Sequence, residues 1–502
     1  MDSGLSRVAR VVAVGSLLAL YWADLGAQSA SLLADAVKHK DGNAVDALLG
    51  RAVDVNIPQL DGATALHWAV YHDDLDMVNR LQGAGATMNA SNTHGVTPLA
   101  LACTNANAQM VQVLLEAGAD ANVTAVSGVT PLMECARTGN LEAVEALLAN
   151  DADVNAIESE EDQTALMWAV SQRHTPVVAA LIDAGANVPH RSRARRQVIS
   201  RRLQSELKYG ERGRRYGTDA DETTVGGYTA LLFAARRGDV DSARMLLVAG
   251  ADVNDTAPDG TSALLVAVQS GHGVFARFLL SEGANPNAAA AGYTPLHAAV
   301  LTGDLDVVGA LLAHGARPNA QVIRATRVTR NGQVLMIGEH LLGATPFALA
   351  AKFAEVDIMR ALLVAKADPL LSLTNGWTPL MLASGASWRF GVWDRRDRAL
   401  ARDFAFQAEH ANKQGTLDAV RLVVESGADI HAVDEGGNAA LHHVVDKGFD
   451  RVVEYLVSKG ADVNASNARG QTPLDVLSRR SSNREAADAT ARVLENLGAH
   501  AR

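Results

Sequence analysis

Aromatic residues are scarce in this chain of 502 residues, at 4% against 48% apolar overall. A core with few rings and much Ala, Leu and Val suits close-packed helices better than a β-sandwich. Cysteine is almost missing: Cys103 and Cys135 are the only two, too few for disulfides to hold the fold together. Positive charge is also short, with 45 Lys/Arg against 56 Asp/Glu and a net charge of −11. That balance argues against a nucleic-acid binder, so no specific nucleic acid is expected as a partner. No P-loop, Rossmann glycine fingerprint, G-x-S-x-G or C-x-x-C-H occurs, so no catalytic residue and no cofactor suggest themselves. His442 and His443 are adjacent rather than spaced to ligate from one helical face, and no metal site is expected.

Long apolar runs are absent after the N-terminus. There, Arg7 and Arg10 precede VVAVGSLLALYW (11–22), a run of 12 residues. It is too short to span a bilayer but fits the hydrophobic region of a signal peptide, with Leu25-Gly26-Ala27 as a cleavage site. The expectation is a signal peptide over 1–27 and a mature chain over 28–502 without a transmembrane segment. Such a chain would be exported to a bacterial periplasm or the extracellular space. The alternative is an uncleaved interfacial anchor.

What the chain has in abundance is one recurring phrase. The triplet T-[PA]-L or a close variant begins at Thr64, Thr97, Thr130, Thr164, Thr229, Ser262, Thr294, Thr345, Thr378, Ala439 and Thr472. Seven of the ten spacings fall within one residue of 33, the sign of a stacked repeat. A second phrase follows at near-constant distance, as in LLEAGADAN (114–122), LLVAGADVN (246–254) and LVSKGADVN (456–464). The local chemistry reads as a helix pair. Thr97-Pro98 supplies an N-cap and a proline at the first helical position, where its missing N–H costs nothing. AQMVQVLLEAG (108–118) carries Val111, Leu114 and Leu115 at helical period, and Gly118 stands where a left-handed C-cap is needed. Asp151 and Lys366 take that glycine's place in two units, whose ends are expected to be strained or frayed.

Together the two phrases resemble the ankyrin repeat, over nearly all of 28–502, with eleven anchored units and a degenerate first one at 31–56. The resemblance implies an all-α repeat solenoid of paired antiparallel helices with β-hairpin fingers, forming one elongated, curved and monomeric domain. It also implies that His67, His297 and His442, in one slot after the triplet, bond to neighbouring backbone and steady the inter-repeat turn. Trp68 and Trp168 share the next slot, facing the adjoining repeat. DGATALHWAV (61–70), with its carboxylate, imidazole and indole, is therefore architecture rather than a catalytic pocket.

Three insertions interrupt the pattern, at about 189–223, 321–342 and 386–413. The first contains PHRSRARRQVISRRLQSELKYGERGRRYG (189–217), whose ten Arg/Lys and two Glu give +8, leaving about −19 elsewhere. It is either a solvated loop folded back onto the acidic solenoid or a contact for an anionic ligand. In the second, Asn331-Gly332 between alternating segments signals a two-residue hairpin turn. Outward pairing then sets Val328 opposite Leu335, Thr326 opposite Ile337 and Arg324 opposite Glu339. Its apolar face needs cover, from a neighbouring finger or a partner. The third holds Trp388, Phe390, Trp393, Phe404 and Phe406; Trp393, Leu400, Phe404 and Gln407 share one side of a helix starting near Asp394. It is expected to pack on the back of its repeat, the aromatics forming satellite core or a ligand pocket.

Cys103 and Cys135 fall in the first helices of neighbouring repeats. Stacked helices sit roughly 8–10 Å apart, whereas a disulfide needs Cα atoms within about 7 Å, so buried free thiols are expected.

The function implied is a non-catalytic protein-binding scaffold whose partner sits on the concave face. That face comprises the finger tips and the residues just after the small pair of each first helix. The candidate contacts are Tyr71, His72, Thr104, Asn105, Arg137, Gln172, Arg236, Arg237, Lys352 and Phe353. They vary widely while the frame stays constant, as packing fixes the frame and recognition does not. The alternatives are an exported effector, inhibitor or hydrolase acting through the inserts, and a structural spacer in the cell envelope.

Overall fold

A computed structural model describes residues 32–200, 220–324, 326–330, 333–386, 405–480 and 484–500. They carry 24 α-helices, two 3₁₀ turns and four strands in two two-stranded sheets. The chain forms an all-α repeat solenoid, as the phrases imply, divided into two compact units. The first takes the described residues of Met1–Val198, Thr224–Ala234 and Asp241–Ala251; the second takes those of Ile199–Thr223, Ala235–Val240 and Asp252–Arg502.

The predicted caps build the helices. In the first unit Thr97 Oγ1 accepts from the Ala100 amide at 3.2 Å, and helix Pro98–Thr104 starts behind it. Thr130 does the same for helix Pro131–Thr138 through the Met133 amide. Each first helix packs on the first helix of the next repeat: Leu32–Lys38 on Ala65–Tyr71, then Pro98–Thr104, Pro131–Thr138 and Ala165–Gln172. The second helices Ala108–Glu116, Leu141–Ala149 and Thr175–Asp183 stack in parallel fashion behind them. Small and aliphatic residues bury the seam, among them Ala69, Val70, Ala102 and Ala136. The degenerate stretch 31–56 does supply a helix pair, Leu32–Lys38 and Gly42–Leu49.

The second unit repeats the scheme through first helices Ala263–Gln269, Pro295–Thr302, Pro346–Lys352, Pro379–Ala383, Ala440–Val444 and Pro473–Arg480. Its core includes Phe275, Tyr293 and Phe347, each at most 1% exposed.

A regular asparagine, unassigned in the sequence reading, bolts repeat to repeat. Asn122 Nδ2 donates to the Asp151 carbonyl at 2.9 Å while its Oδ1 accepts from the Asp153 amide at 2.7 Å. Asn56, Asn89 and Asn155 do likewise in the first unit. In the second unit Asn319 reaches the Lys366 carbonyl, 47 residues away in sequence, and accepts from the Asp368 amide. The ladder therefore crosses the second insertion unbroken.

As expected, Asp151 (φ 59°) and Lys366 (φ 65°) adopt the strained left-handed conformation, and the side chains of Asn122 and Asn319 donate to their carbonyls. One local expectation is corrected. Cys103 and Cys135 are not free thiols: they form a disulfide with a Cα–Cα distance of 4.6 Å, both fully buried. The expectation confused axis separation with Cα separation. With axes about 9 Å apart and each Cα about 2.3 Å off its axis toward the partner, facing Cα atoms come within about 4.5 Å.

The insertions begin and end as extensions of this frame. The first opens and closes on strands β1 (Ala194–Ser200) and β2 (Ala220–Gly226), which pair with each other. The second is the expected antiparallel hairpin of β3 (Thr326–Arg330) and β4 (Gln333–Ile337), with Val328 opposite Leu335 and Thr326 opposite Ile337. Asn331-Gly332 lies outside the described residues. Arg324 and Glu339 fall beyond the ladder: Glu339 opens the 3₁₀ turn Glu339–Leu341, and Arg324 donates to the Ala290 carbonyl at 3.0 Å. Cover comes partly from the second unit itself, as Ile337 is 1% exposed and β3 runs beside Ala263–Gln269. In the third insertion, Trp388, Phe390, Trp393, Leu400 and Phe404 lie outside the described residues. From Ala405 onward the chain is one helix to Glu425, so the insertion's end is continuous with the second helix of its repeat.

Candidate protein-binding surface

The histidine slot is built as the resemblance implied. In the first unit His67 Nδ1 accepts from the Thr64 amide at 3.1 Å and meets Thr64 Oγ1 at 2.9 Å, while Nε2 faces the Val96 carbonyl at 3.0 Å. In the second unit His297 pairs in the same way with Thr294 and the Ala344 carbonyl, and His442 with the Ala439 amide and the Gln471 carbonyl. Each ring receives a backbone N–H at Nδ1, so Nε2 carries the proton and the imidazole is neutral. Burial pulls all three below the usual imidazole value, His297 to about 4. A ring locked neutral between two backbone groups holds a turn and has no acid–base work to do.

In the first unit the variable slot presents an aromatic patch. Trp68 Nε1 donates to Gln59 Oε1 at 2.7 Å, which fixes the indole against the loop that leads into its own helix. Lys38 Nζ lies 4.4 Å from the Trp68 ring centroid, and Tyr71 stands edge-on to that ring at 5.6 Å. Tyr71 is 57% exposed. His72, half-buried, stands 5.3 Å from the Tyr71 ring, with its Nε2 on the Lys38 carbonyl. Asn105 is drawn into the frame: its amide donates to the Val70 carbonyl and to Asp73 Oδ1, both at 3.0 Å. Tyr71, His72 and Asn105 are thus brought together, whereas Thr104 turns its hydroxyl back to the Ala100 carbonyl. Further along, Arg137 pairs with Glu134 at 2.7 Å and Gln172 is exposed.

The base of the basic insertion is clamped to this unit. Arg193 makes a two-pronged contact with Asp162 at 2.9 and 2.5 Å, and Arg195 pairs with Glu161 at 2.8 Å. The hydrogen bond from Arg193 holds the Asp162 carboxyl below its ordinary value. At its root, then, the insertion folds back on an acidic finger, while Arg196 stays exposed.

In the second unit Arg236 and Arg237 are exposed. Lys352 is not: it is 7% exposed, its Nζ 4.7 Å from the Phe353 ring. As an exposed candidate contact Lys352 is corrected, because its side chain is buried with the ammonium over a neighbouring ring. Phe353 is half-buried. Gln269, another residue after a small pair, donates its amide to the Tyr293 hydroxyl.

Two groups escaped the sequence reading. His174 in the first unit and His272 in the second each place Nε2 3.1 Å from a first-helix carbonyl, of Arg137 and Arg236 respectively. Their shared position, ten residues after the triplet, was the available signal. The other group is a polar knot in the second unit. His443 contacts Asp434 at 3.0 Å, and Trp377 Nε1 donates to the same carboxylate at 3.2 Å. Burial raises the Asp434 value, but the bonds from His443 and Asn438 outweigh it and hold the carboxyl near 2. His340, beside Trp377, is pulled to about 4 by burial and the Lys352 charge. Among the described residues no group of three or more His, Cys, Asp or Glu is placed to hold a metal ion.

Comparison with known proteins agrees with the geometry. A family model described as ankyrin repeats (3 copies) matches residues 33–125, 120–192, 231–322 and 408–489, more than half of the chain. The chain is also similar to neurogenic locus notch homolog protein 1 of Homo sapiens, 31% identical over 140 residues. That match covers 26% of this chain and 5% of the human protein, so it bears on the repeats alone. Ankyrin repeats are generally protein–protein interaction modules, and the family is generally non-catalytic. With its capped helix pairs, finger ladder and neutral turn histidines, this chain belongs to the ankyrin repeat family.

Proposed function

We propose that this protein is a non-catalytic scaffold that captures a protein partner on the concave face formed by its first helices and fingers. One observation carries the reading. The small pairs such as Ala69-Val70 and Ala102-Cys103 are buried, while in four repeats the residue just after the pair is exposed and differs each time: Tyr71, Thr104, Arg137, Arg236. A face with a fixed frame and free choice of side chain suits recognition. The combined substitution of Tyr71, Arg236 and Phe353 by alanine tests it in a pull-down from the native source. Lost capture of the partner supports the scaffold; undiminished capture shifts the site to the insertions or to none.

The scaffold works, in this reading, in an oxidising compartment, a bacterial periplasm or the extracellular space. The Cys103–Cys135 disulfide supports this, since such bonds persist outside reducing cytosol. Among the described residues no helix is long and apolar enough to cross a membrane. Blocking free thiols of protein isolated under acid quench checks the compartment: two reactive cysteines would place the chain in a reducing one. An anionic ligand at 189–217 would have to compete with Asp162 for Arg193 and with Glu161 for Arg195.

A further inference from the structure

Resting on the scaffold reading, the partner's chemistry follows from three properties of the first unit. The first is charge. Its described residues, 32–198, 224–234 and 241–251, contain 21 Asp/Glu and 11 Lys/Arg, a net of −10 against −11 for the whole chain. Even partly screened, such an excess raises the local concentration of cationic segments and speeds their encounter. The second is the aromatic patch: Tyr71 offers an open ring beside a Trp68 face that already holds an ammonium, Lys38 Nζ at 4.4 Å. Ring faces attract cations through their quadrupole, and more so in a negative field. The third is precedent within the unit. The finger at 158–162 already takes two guanidinium groups from the chain itself, Arg193 on Asp162 and Arg195 on Glu161. In these contacts the unit meets a cation through a carboxylate or a ring.

We propose that the first unit docks an arginine- or lysine-rich segment of its partner protein, with a cationic side chain stacked on Tyr71. Charge steers the segment in; the ring gives the contact its position. Tyr71 lies at the C-terminal end of helix Ala65–Tyr71 and is largely solvent-facing, so substitution there spares the core.

The full chain is titrated with a fluorescent peptide of alternating Arg and Ala, and with its Glu–Ala counterpart. The basic peptide is expected to bind, the acidic one not, and the affinity to fall steeply with added salt. Tyr71→Ala should weaken binding about fivefold and Tyr71→Phe by less than about twofold, because phenylalanine keeps the ring face. Should the alanine variant melt early, Tyr71→Gln, which keeps bulk without a ring, takes its place with the same expected loss. Equal binding of both peptides, or a basic peptide indifferent to Tyr71, overturns the proposal. So does a dimer in sedimentation that Tyr71→Ala abolishes, which assigns the face to a second copy. A captured partner whose contact segment is neutral or acidic also overturns it while leaving the scaffold intact; failure to capture any partner strikes the scaffold reading without touching the peptide result.

Discussion

A lysine in a left-handed backbone shows how tightly single residues are constrained here. Lys366 at φ 65° does the work that glycine does at φ 90° in Gly118. Its Cβ crowds the backbone, a strain of about 1 kcal/mol that glycine does not feel. Lys366→Gly should therefore raise stability by up to about 1 kcal/mol in chemical unfolding; a loss would show that the lysine side chain matters more than its backbone. The turn histidines define a pH window. His297 sits near 4 in the folded protein and at 6.5 unperturbed, so the unfolded chain binds the proton more readily. The stability linked to it is complete above pH 6.5 and is lost as pH falls toward 4, by about 3 kcal/mol across the window. Unfolding titrations of wild type and His297→Gln test the sign: the variant should be less stable at neutral pH and show a flatter pH profile. The histidines were legible in the sequence because they share a slot. Lys352 was misread because slot alone does not say which way a long side chain lies.

Among elements, helix pairs were read well and their connections less so. Caps and period are local chemistry, and Thr97, Pro98 and Gly118 act where the sequence places them. The asparagine ladder is a property of two repeats at once. Its amide is satisfied by the following unit, as Asn122 is by Asp151 and Asp153, so no single unit reveals it. Asn122→Ala should cost about 1–2 kcal/mol, since two hydrogen bonds go and an amide and a carbonyl lose their partner. Thermal unfolding measures it; a neutral result would make the ladder a consequence of stacking rather than a cause. The hairpin at 326–337 was legible in register from Asn331-Gly332 and alternation, while its cover by the second unit depends on where Ile337 falls in three dimensions.

At the scale of the whole molecule, a chain with few rings and no metal signal gains stability by adding nearly equivalent interfaces, so one covalent link between repeats weighs heavily. Cys103 and Cys135 lie 32 residues apart, and closing a loop of that length in the unfolded chain is worth about 3.5 kcal/mol. Denaturant unfolding with and without reductant should show a loss of that order, and the double substitution of both cysteines by alanine should mimic reduction. An unchanged midpoint would mean that the reduced unfolded state keeps the two helices together. The sequence alone determined the repeat, the helix pair, the turn histidines and the hairpin register, since spacing, caps and alternation act over short stretches of chain. Tertiary structure alone decided that two cysteines on stacked helices meet, that Asn105 and Lys352 turn inward, and that the basic insertion roots on an acidic finger. Each of those depends on the distance between atoms on different repeats, which is set by how closely small side chains let the helices approach.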